Sequence, residues 1–495
     1  MLDKLKELSR ETVIYGISTV LGRFLNFILV PFHSNIFQPS DMGVVSNIYS
    51  YIALFNIIFI YGMDSAYLKM GSLPEFKGTK KVFSTSYIII FITSVVFGVL
   101  FLAGMGGVSS FLGIEKSGLD PAKFHRLIMY GVGILFFDVL TVIPFITLRL
   151  QNKSLKFSQI RVANILINIA LNLVLILVLK MDIEAIFIAN FAASVFSFVM
   201  LVPVIRENLE LKTDGRLAVR IFKFGLPFMP AGLAAMLTQV VDKPILEKLT
   251  DFKTLGIYQQ NYKLSMFMML YVSMFQYAWQ PFFLKYAEDE GAGELFSKVF
   301  TYFTIAGSFI LLFITVFLDE IVGLNVAGFH LLGKAYWSGL YIVPVVLLGY
   351  LFYGFYINFN AAFYIKEKSL PVPLLLGAGA LINIAMNFAL IPLIGIMGAA
   401  LATLFAYLFI AAAFYIGGQK TFKIPYENKK IAVLLALIVI SMAVYYLFIF
   451  GREDVMFTKA ALITGFIMAV LLADIISPRE ARTFKNLISG RLRRR

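Results

Sequence analysis

The sequence predicts an all-α polytopic membrane protein with 14 transmembrane helices: two six-helix bundles arranged as parallel repeats, plus an additional helix pair. Three observations carry this expectation. Of 495 residues, 60% are hydrophobic and 15% charged, with mean hydropathy +0.84, too little polar surface for a soluble fold of that length. Apolar runs of bilayer length recur from one end of the chain to the other. One of those runs is then repeated, nearly residue for residue, six runs later.

Taken in order, runs of about 20 apolar residues place spans near 11–37, 42–68, 82–112, 124–149, 156–180, 183–205, 218–242, 254–285, 298–318, 336–365, 371–392, 394–416, 430–450 and 456–476. The first is led in by the amphipathic string MLDKLKELSRETVIYG and shows no small-residue cleavage site, so it is expected to be a retained helix and not a signal peptide. The second, eighth and tenth runs are long, which predicts tilt or extension into water. Lys180–Ile183 and Leu390–Gly395 are very short connections, so the fifth and sixth spans, and the eleventh and twelfth, are expected to form tight antiparallel hairpins.

Charge sets the orientation. With the amino terminus inside, the inner segments and their flanking helix ends hold 31 Lys and Arg residues, against 10 for the outer ones. This is the asymmetry of the positive-inside rule, and it predicts that both termini are cytoplasmic. The formal net charge of +14 therefore reports membrane topology and implies no nucleic-acid partner. The basic tail from Pro478 is expected to lie against the anionic inner leaflet. There are no cysteines, hence no disulfide framework and no thiolate chemistry.

The repeat is LINIALNLVLI at 166–176 against LINIAMNFALI at 381–391, identical at eight of eleven positions, with Asn168 and Asn172 answering Asn383 and Asn387. Six spans separate the copies, an even number that restores the same orientation, so the repeats are parallel about an axis along the membrane normal. A weaker echo sets Gly43 and Tyr49 against Gly256 and Tyr262. The expected division is 1–210 for the first lobe, 211–416 for the second, 417–477 for the additional helices and 478–495 for the tail.

The stretch QVVDKPILEKLTDFKTLGIYQQNYKL, Gln239 to Leu264, places charges where a membrane chain should have fewest. Asp242-Lys243 is expected to close the seventh span and Gly256 to open the eighth, with Lys263 about two turns inside it. Ionisable groups at membrane depth are costly and face a cavity or a partner. The competing reading for Lys243 and Lys263 is snorkelling towards a helix end. Arg23 falls near mid-bilayer, thirteen residues beyond Arg10, roughly 20 Å along the helix. Asp138 lies at comparable depth, and Asp64 in the inner part of the second span. Arg23 either pairs with an Asp structurally or offers a bidentate contact to an anionic substrate in a cleft. Asn26 could share its wet face, whereas the repeated Asn pairs read as glue between helices. Pro31, Pro144, Pro227, Pro230, Pro281 and Pro344 interrupt spans as proline does in helices that kink.

Catalytic signals are poor. GFHLLGK at 328–334 has the spacing of a phosphate-binding loop, but Ala335 replaces the hydroxyl residue that would hold magnesium and no strand is expected before it. His33, His125 and His330 show no metal-ligand spacing. No enzyme activity, cofactor or metal is expected.

Several motifs resemble one family. Asp242-Lys243 with Gly256, Tyr258, Tyr262 and Lys263, GMDSAYLK at 62–69 and IPLIGIMGAALAT at 391–403 are similar to Wzx-type polysaccharide and oligosaccharide flippases, polysaccharide biosynthesis proteins of the multidrug/oligosaccharidyl-lipid/polysaccharide exporter superfamily. The resemblance implies two six-helix lobes alternating between inward-open and outward-open forms, around a cleft bounded by the first, second, seventh and eighth spans. It implies a substrate made of an undecaprenyl diphosphate lipid bearing an oligosaccharide, as for O-antigen or exopolysaccharide repeat units, moved from the inner to the outer leaflet of the bacterial cytoplasmic membrane. Membrane lipids, a coupling proton or sodium ion and other polysaccharide assembly proteins are the partners it suggests. Asp64, Asp242, Lys243, Gly256, Tyr258, Tyr262 and Lys263 fall on its motif positions, while Arg23, Asn26 and Asp138 are added from their depth in the spans.

Two further transporter readings and one enzymatic reading remain. A MATE-type drug or cation exporter predicts twelve spans and an acidic, aromatic cleft. A MurJ-like lipid II flippase shares the additional helix pair but concentrates several Arg residues in its cleft, where this chain has one mid-span Arg in the first span. A membrane polymerase or ligase would need a long outer loop rich in Arg and His.

Overall fold

The computed structural model describes residues 27–76, 79–326, 328–368, 370–473 and 475. The helices follow the hydrophobic runs closely, and what the sequence did not show is where they break. Among the described residues eleven helices are long and apolar enough to cross a membrane, so the chain is a multi-pass membrane protein. They correspond to the second to seventh and ninth to thirteenth expected spans. The other three expected spans differ for separate reasons. The first lies mostly outside the described residues, with only Leu29–Ile36 in view. The eighth is divided at Ser265 into Phe252–Leu264 and Met266–Tyr286, and the fourteenth, Met456–Leu472, has 17 residues.

The breaks have local causes. The second span runs as Pro39–Ile60, turns through Tyr61 and Gly62 in the left-handed region and resumes as Met63–Gly71. The seventh is Gly215–Gly225 and Phe228–Val240, parted at Leu226-Pro227, because proline withholds an N–H from the helical ladder. Asp242-Lys243 does not end this span as expected. Asp242–Leu249 continues it as a further helical segment, with Pro244 in its first turn, where a missing N–H costs little. The connection that follows is only Thr250-Asp251. Asp251, not Gly256, starts the eighth span, its carboxylate accepting the N-cap bond from Thr254 N at 2.7 Å. Lys263 accordingly stands roughly three turns inside.

Both expected hairpins are present. Ser154–Leu173, extended by a wide turn over Val174–Val178, meets Glu184–Asn208, and Pro371–Ile394 meets Ile396–Thr421 across Gly395 alone.

The packing repeats as the sequence does. Within 39–208 the sixth span packs on the fourth and fifth, and the fourth on the second and third. Within 252–421 the twelfth packs on the tenth and eleventh, and the tenth on the eighth and ninth. The two groups meet where the second span crosses the eighth and seventh. Asn428–Phe448 packs outside the second group on Ala292–Val316, followed by Met456–Leu472. The added pair is fixed by Lys459, buried and bonded to both Glu320 carboxylate oxygens at 2.7 and 2.9 Å.

Candidate functional site

A cavity of about 420 Å³ opens between the two groups, walled by the first, second, fifth and sixth spans on one side and the seventh and eighth on the other. Its position follows from backbone contact at one end. Gly43 and Gly256, the two glycines of the weaker echo, lie against each other's helix: a Cβ at Gly43 would stand 1.8 Å from Phe252 O, and one at Gly256 1.8 Å from Pro39 O. Only hydrogen fits there. One turn and more beyond Gly43, Ser46, Tyr49 and Ser50 already line the cavity.

Two loops reinforce that end. The GFHLLGK segment forms a short hairpin, Asn325–Val326 against Phe329–His330, so a brief strand does precede it, contrary to expectation. Its backbone is engaged by the end of the first span. Asn35 Nδ2 donates to His330 O at 2.7 Å, Gly333 N donates to Ser34 Oγ at 2.9 Å and Tyr336 OH donates to Phe37 O at 2.9 Å. On the other side Lys116, between the third and fourth spans, donates to Lys248 O at 3.1 Å and lies 3.9 Å from the buried Glu247 carboxylate. At the opposite end of the bundle Gly62 touches Gly225, Tyr61 stacks on Phe222 with ring centroids 5.6 Å apart, and Arg220 pairs with Glu75 at 2.6 Å.

The charges of Gln239–Leu264 divide into two sets. Asp242 is buried, accepts a hydrogen bond from Tyr258 OH, and is met by Lys243 Nζ at 3.1 Å. Lys243 also donates to Gln239 O at 3.0 Å and sits 4.8 Å from the centroid of the Tyr262 ring, whose hydroxyl accepts from Tyr350. This is a paired, hydrogen-bonded charge cluster of the kind burial demands, with Lys243 also touching the cavity. Lys263 differs. It lines the cavity, and among the described residues it has no hydrogen-bond or ion-pair partner. His33 faces it across the cavity and donates through Nε2 to Asn172 Oδ1 at 3.1 Å. No carboxylate is among the described lining residues.

The remaining expected site residues are scattered. Arg23 and Asn26 lie outside the described residues. Asp64 is half-buried in the first turn of Met63–Gly71, towards the Gly62–Gly225 contact. Asp138 is half-buried among the fourth, fifth and sixth spans with Ser194 and Arg161 as its partners; Arg161 itself rests on Phe145 at 4.2 Å. The lining also holds uncharged residues that were not among the expected site residues: Asn164, Asn190 and Gln259. Asn168 and Asn172, expected as helix glue, face the cavity too. The signal for Asn164 was present, four residues before Asn168, as another Asn on the same helical face.

These features define a class: a multi-pass helical membrane protein with a polar, cation-bearing cavity between two like-folded groups. The sequence model of the polysaccharide biosynthesis protein family matches residues 34–327. That is more than half of the chain, and the protein belongs to this family. No curated protein matches it in sequence. Among solved structures it is similar to the lipid II flippase MurJ in an inward closed conformation, with TM-score 0.70 at 16% identity over 97% of this chain and 99% of that one. An inward-facing multidrug-resistance MATE transporter gives 0.64 at 13% identity over 85% and 96%, and an outward-facing MATE transporter 0.59 at 13% over 86% and 96%. At such identities the likeness is one of fold.

Proposed function

We propose that the protein is a flippase that carries an undecaprenyl-diphosphate-linked oligosaccharide from the inner to the outer leaflet of a bacterial cytoplasmic membrane. Both termini are cytoplasmic, so the Gly43–Gly256 end faces outward, and residues 1–210 and 211–416 are the lobes that rock. The single observation carrying this reading is Lys263: an ammonium group without a described partner, in a cavity whose described wall holds no carboxylate. A buried cation needs an anion, and a lipid diphosphate supplies one. Lys243 adds a second cation to the lining, already paired with Asp242, which Tyr258 also holds. The family, built around polysaccharide assembly, supports a glycan cargo. A cation exporter fits less well, since its ligand would meet positive charge and no described carboxylate in the lining.

The test is export of surface glycan in cells whose only copy is Lys263→Ala. A charge-assisted bond is worth about 1.5–3 kcal/mol, so substrate affinity falls roughly ten- to hundredfold and export falls with it, while protein level in the membrane holds. Lys263→Arg retains much of the activity. Normal export by Lys263→Ala refutes the cationic site.

A further inference from the structure

The two copies of the LINIA-x-N string have the same internal geometry and different surroundings. Asn172 Nδ2 folds back on Asn168 O and Oδ1 at 2.9 and 3.1 Å, and Asn387 Nδ2 on Asn383 O and Oδ1 at 2.8 and 2.9 Å. In the second copy both amides are fully buried, and Phe228–Val240 packs along that span. In the first they line the cavity. There the stripe gains a third rung, Asn164, where the second copy has Gly379. Residues i, i+4 and i+8 share a helix face over roughly 12 Å.

The protein's own bonds fix which amide atoms are left over. Asn164 Nδ2 donates to Ala193 O at 2.7 Å and Ser197 Oγ at 2.9 Å; a backbone carbonyl only accepts, so Oδ1 is the free end. Asn190 Nδ2 donates to Tyr49 OH at 2.9 Å, again leaving Oδ1. Among the described residues Gln259 Oε1 is buried without a partner, and Asn168 keeps its Nδ2. The described wall thus offers three carbonyl oxygens and two amide NH2 groups, those of Asn168 and Gln259, all uncharged. The stripe starts at Asn172, which accepts from His33, a group within electrostatic reach of Lys263, and continues through Asn168 to Asn164.

Uncharged amide acceptors and donors gathered around one cavity suit a ligand rich in hydroxyls, which both donate and accept. They do not neutralise a cation and do not attract an anion. We propose that Asn164, Asn168, Asn190 and Gln259 form a sugar subsite that reads the hydroxyls of uncharged sugar residues joined to the diphosphate held at Lys263. This rests on the flippase reading above.

The experiment uses the full-length purified protein and three probes: undecaprenyl diphosphate, the same lipid bearing one neutral hexose, and the same lipid bearing one hexuronic acid. Wild type binds the hexose probe more tightly than the bare lipid. Asn164→Ser and Asn168→Ala each weaken the hexose probe roughly two- to tenfold and leave the bare lipid unchanged, which also certifies the fold. Lys263→Ala weakens all three. Asparagine variants that bind the hexose probe like wild type, or lose bare lipid equally, overturn the subsite and leave the flippase reading standing. Tighter binding of the hexuronic acid probe overturns the claim that the sugar is neutral. A wild-type protein that binds none of the three overturns both readings.

Discussion

The contact between Gly43 and Gly256 can be broken by one methyl group. In Gly256→Ala the new Cβ would stand 1.8 Å from Pro39 O, against the 3.4 Å at which ordinary contact begins, so the helices must part by about 1.6 Å. The obstructing atoms are backbone, and no side-chain rotation relieves them. Overpacking of this kind costs about 1–3 kcal/mol, and the cost falls only on the conformation in which the second and eighth spans cross. A form with this end open is free of it. The ratio of open to closed forms therefore rises roughly 5- to 150-fold.

The chain contains no cysteine, so one introduced thiol reports without background. Ser50 lines the cavity and is 4% exposed. In intact cells, Ser50→Cys should react slowly with a membrane-impermeant maleimide, and faster by the open-to-closed ratio once Gly256→Ala is added. Gly43→Ala should do the same, because its Cβ meets Phe252 O at 1.8 Å. The double variant should gain less than the product of the two, since one separation relieves both clashes. Gly106→Ala, whose Cβ meets nothing within 4 Å, is the inert control. Equal labelling rates in wild type and Gly256→Ala, at equal membrane levels, would refute the reasoning that this crossing closes the outward end.

Three other expectations follow from the same geometry. Asp242→Asn strands Lys243 in a buried site, and breaking a buried pair costs about 3–5 kcal/mol; the detergent-solubilised protein should melt at markedly lower temperature, with Asp242→Asn/Lys243→Met recovering much of the loss. Tyr336→Phe and Asn35→Ala each remove neutral bonds between the 325–336 loop and the first span, about 0.5–1.5 kcal/mol apiece, and should raise Ser50→Cys labelling roughly two- to tenfold. Lys459→Met removes the bonds to Glu320 and should loosen Met456–Leu472, read as faster proteolysis at the loop before it with little change in export.

Much of the fold was legible because the bilayer imposes length and polarity on every span, and the charged cluster was legible because its residues violate that polarity. Asp242, Lys243, Tyr258, Tyr262 and Lys263 stand out in any apolar run. What they do there was not legible: Asp242 and Lys243 look like a helix end in sequence, yet Asp242–Leu249 is helical and the two charges pair internally. Gly256 suggested a helix opening because glycine is common at turns, whereas it serves a backbone crossing with a span some two hundred residues away. Asn164 has no counterpart in the repeat, where its partner position is Gly379. Arg161 beside Asp138 depends on how the fourth and fifth spans pack, which no local pattern encodes.

The pattern of likeness and divergence between the copies has a geometric logic. A parallel repeat about an axis along the membrane normal brings equivalent positions face to face near that axis. Gly43 and Gly256 are such positions, and close approach demands a small residue from both. The internal Asn pair is likewise retained in both copies, since it secures its own helix turn. Away from the axis no such constraint acts. There the copies part company: Ser50 answers Lys263 and Gly379 answers Asn164. A ligand with a charged end and an uncharged, hydroxyl-rich end has no two-fold symmetry, so a wall that recognises it must lose the symmetry of its scaffold. The cavity is asymmetric in that way, with an ammonium that has no partner among the described residues on the second copy and its amide stripe on the first.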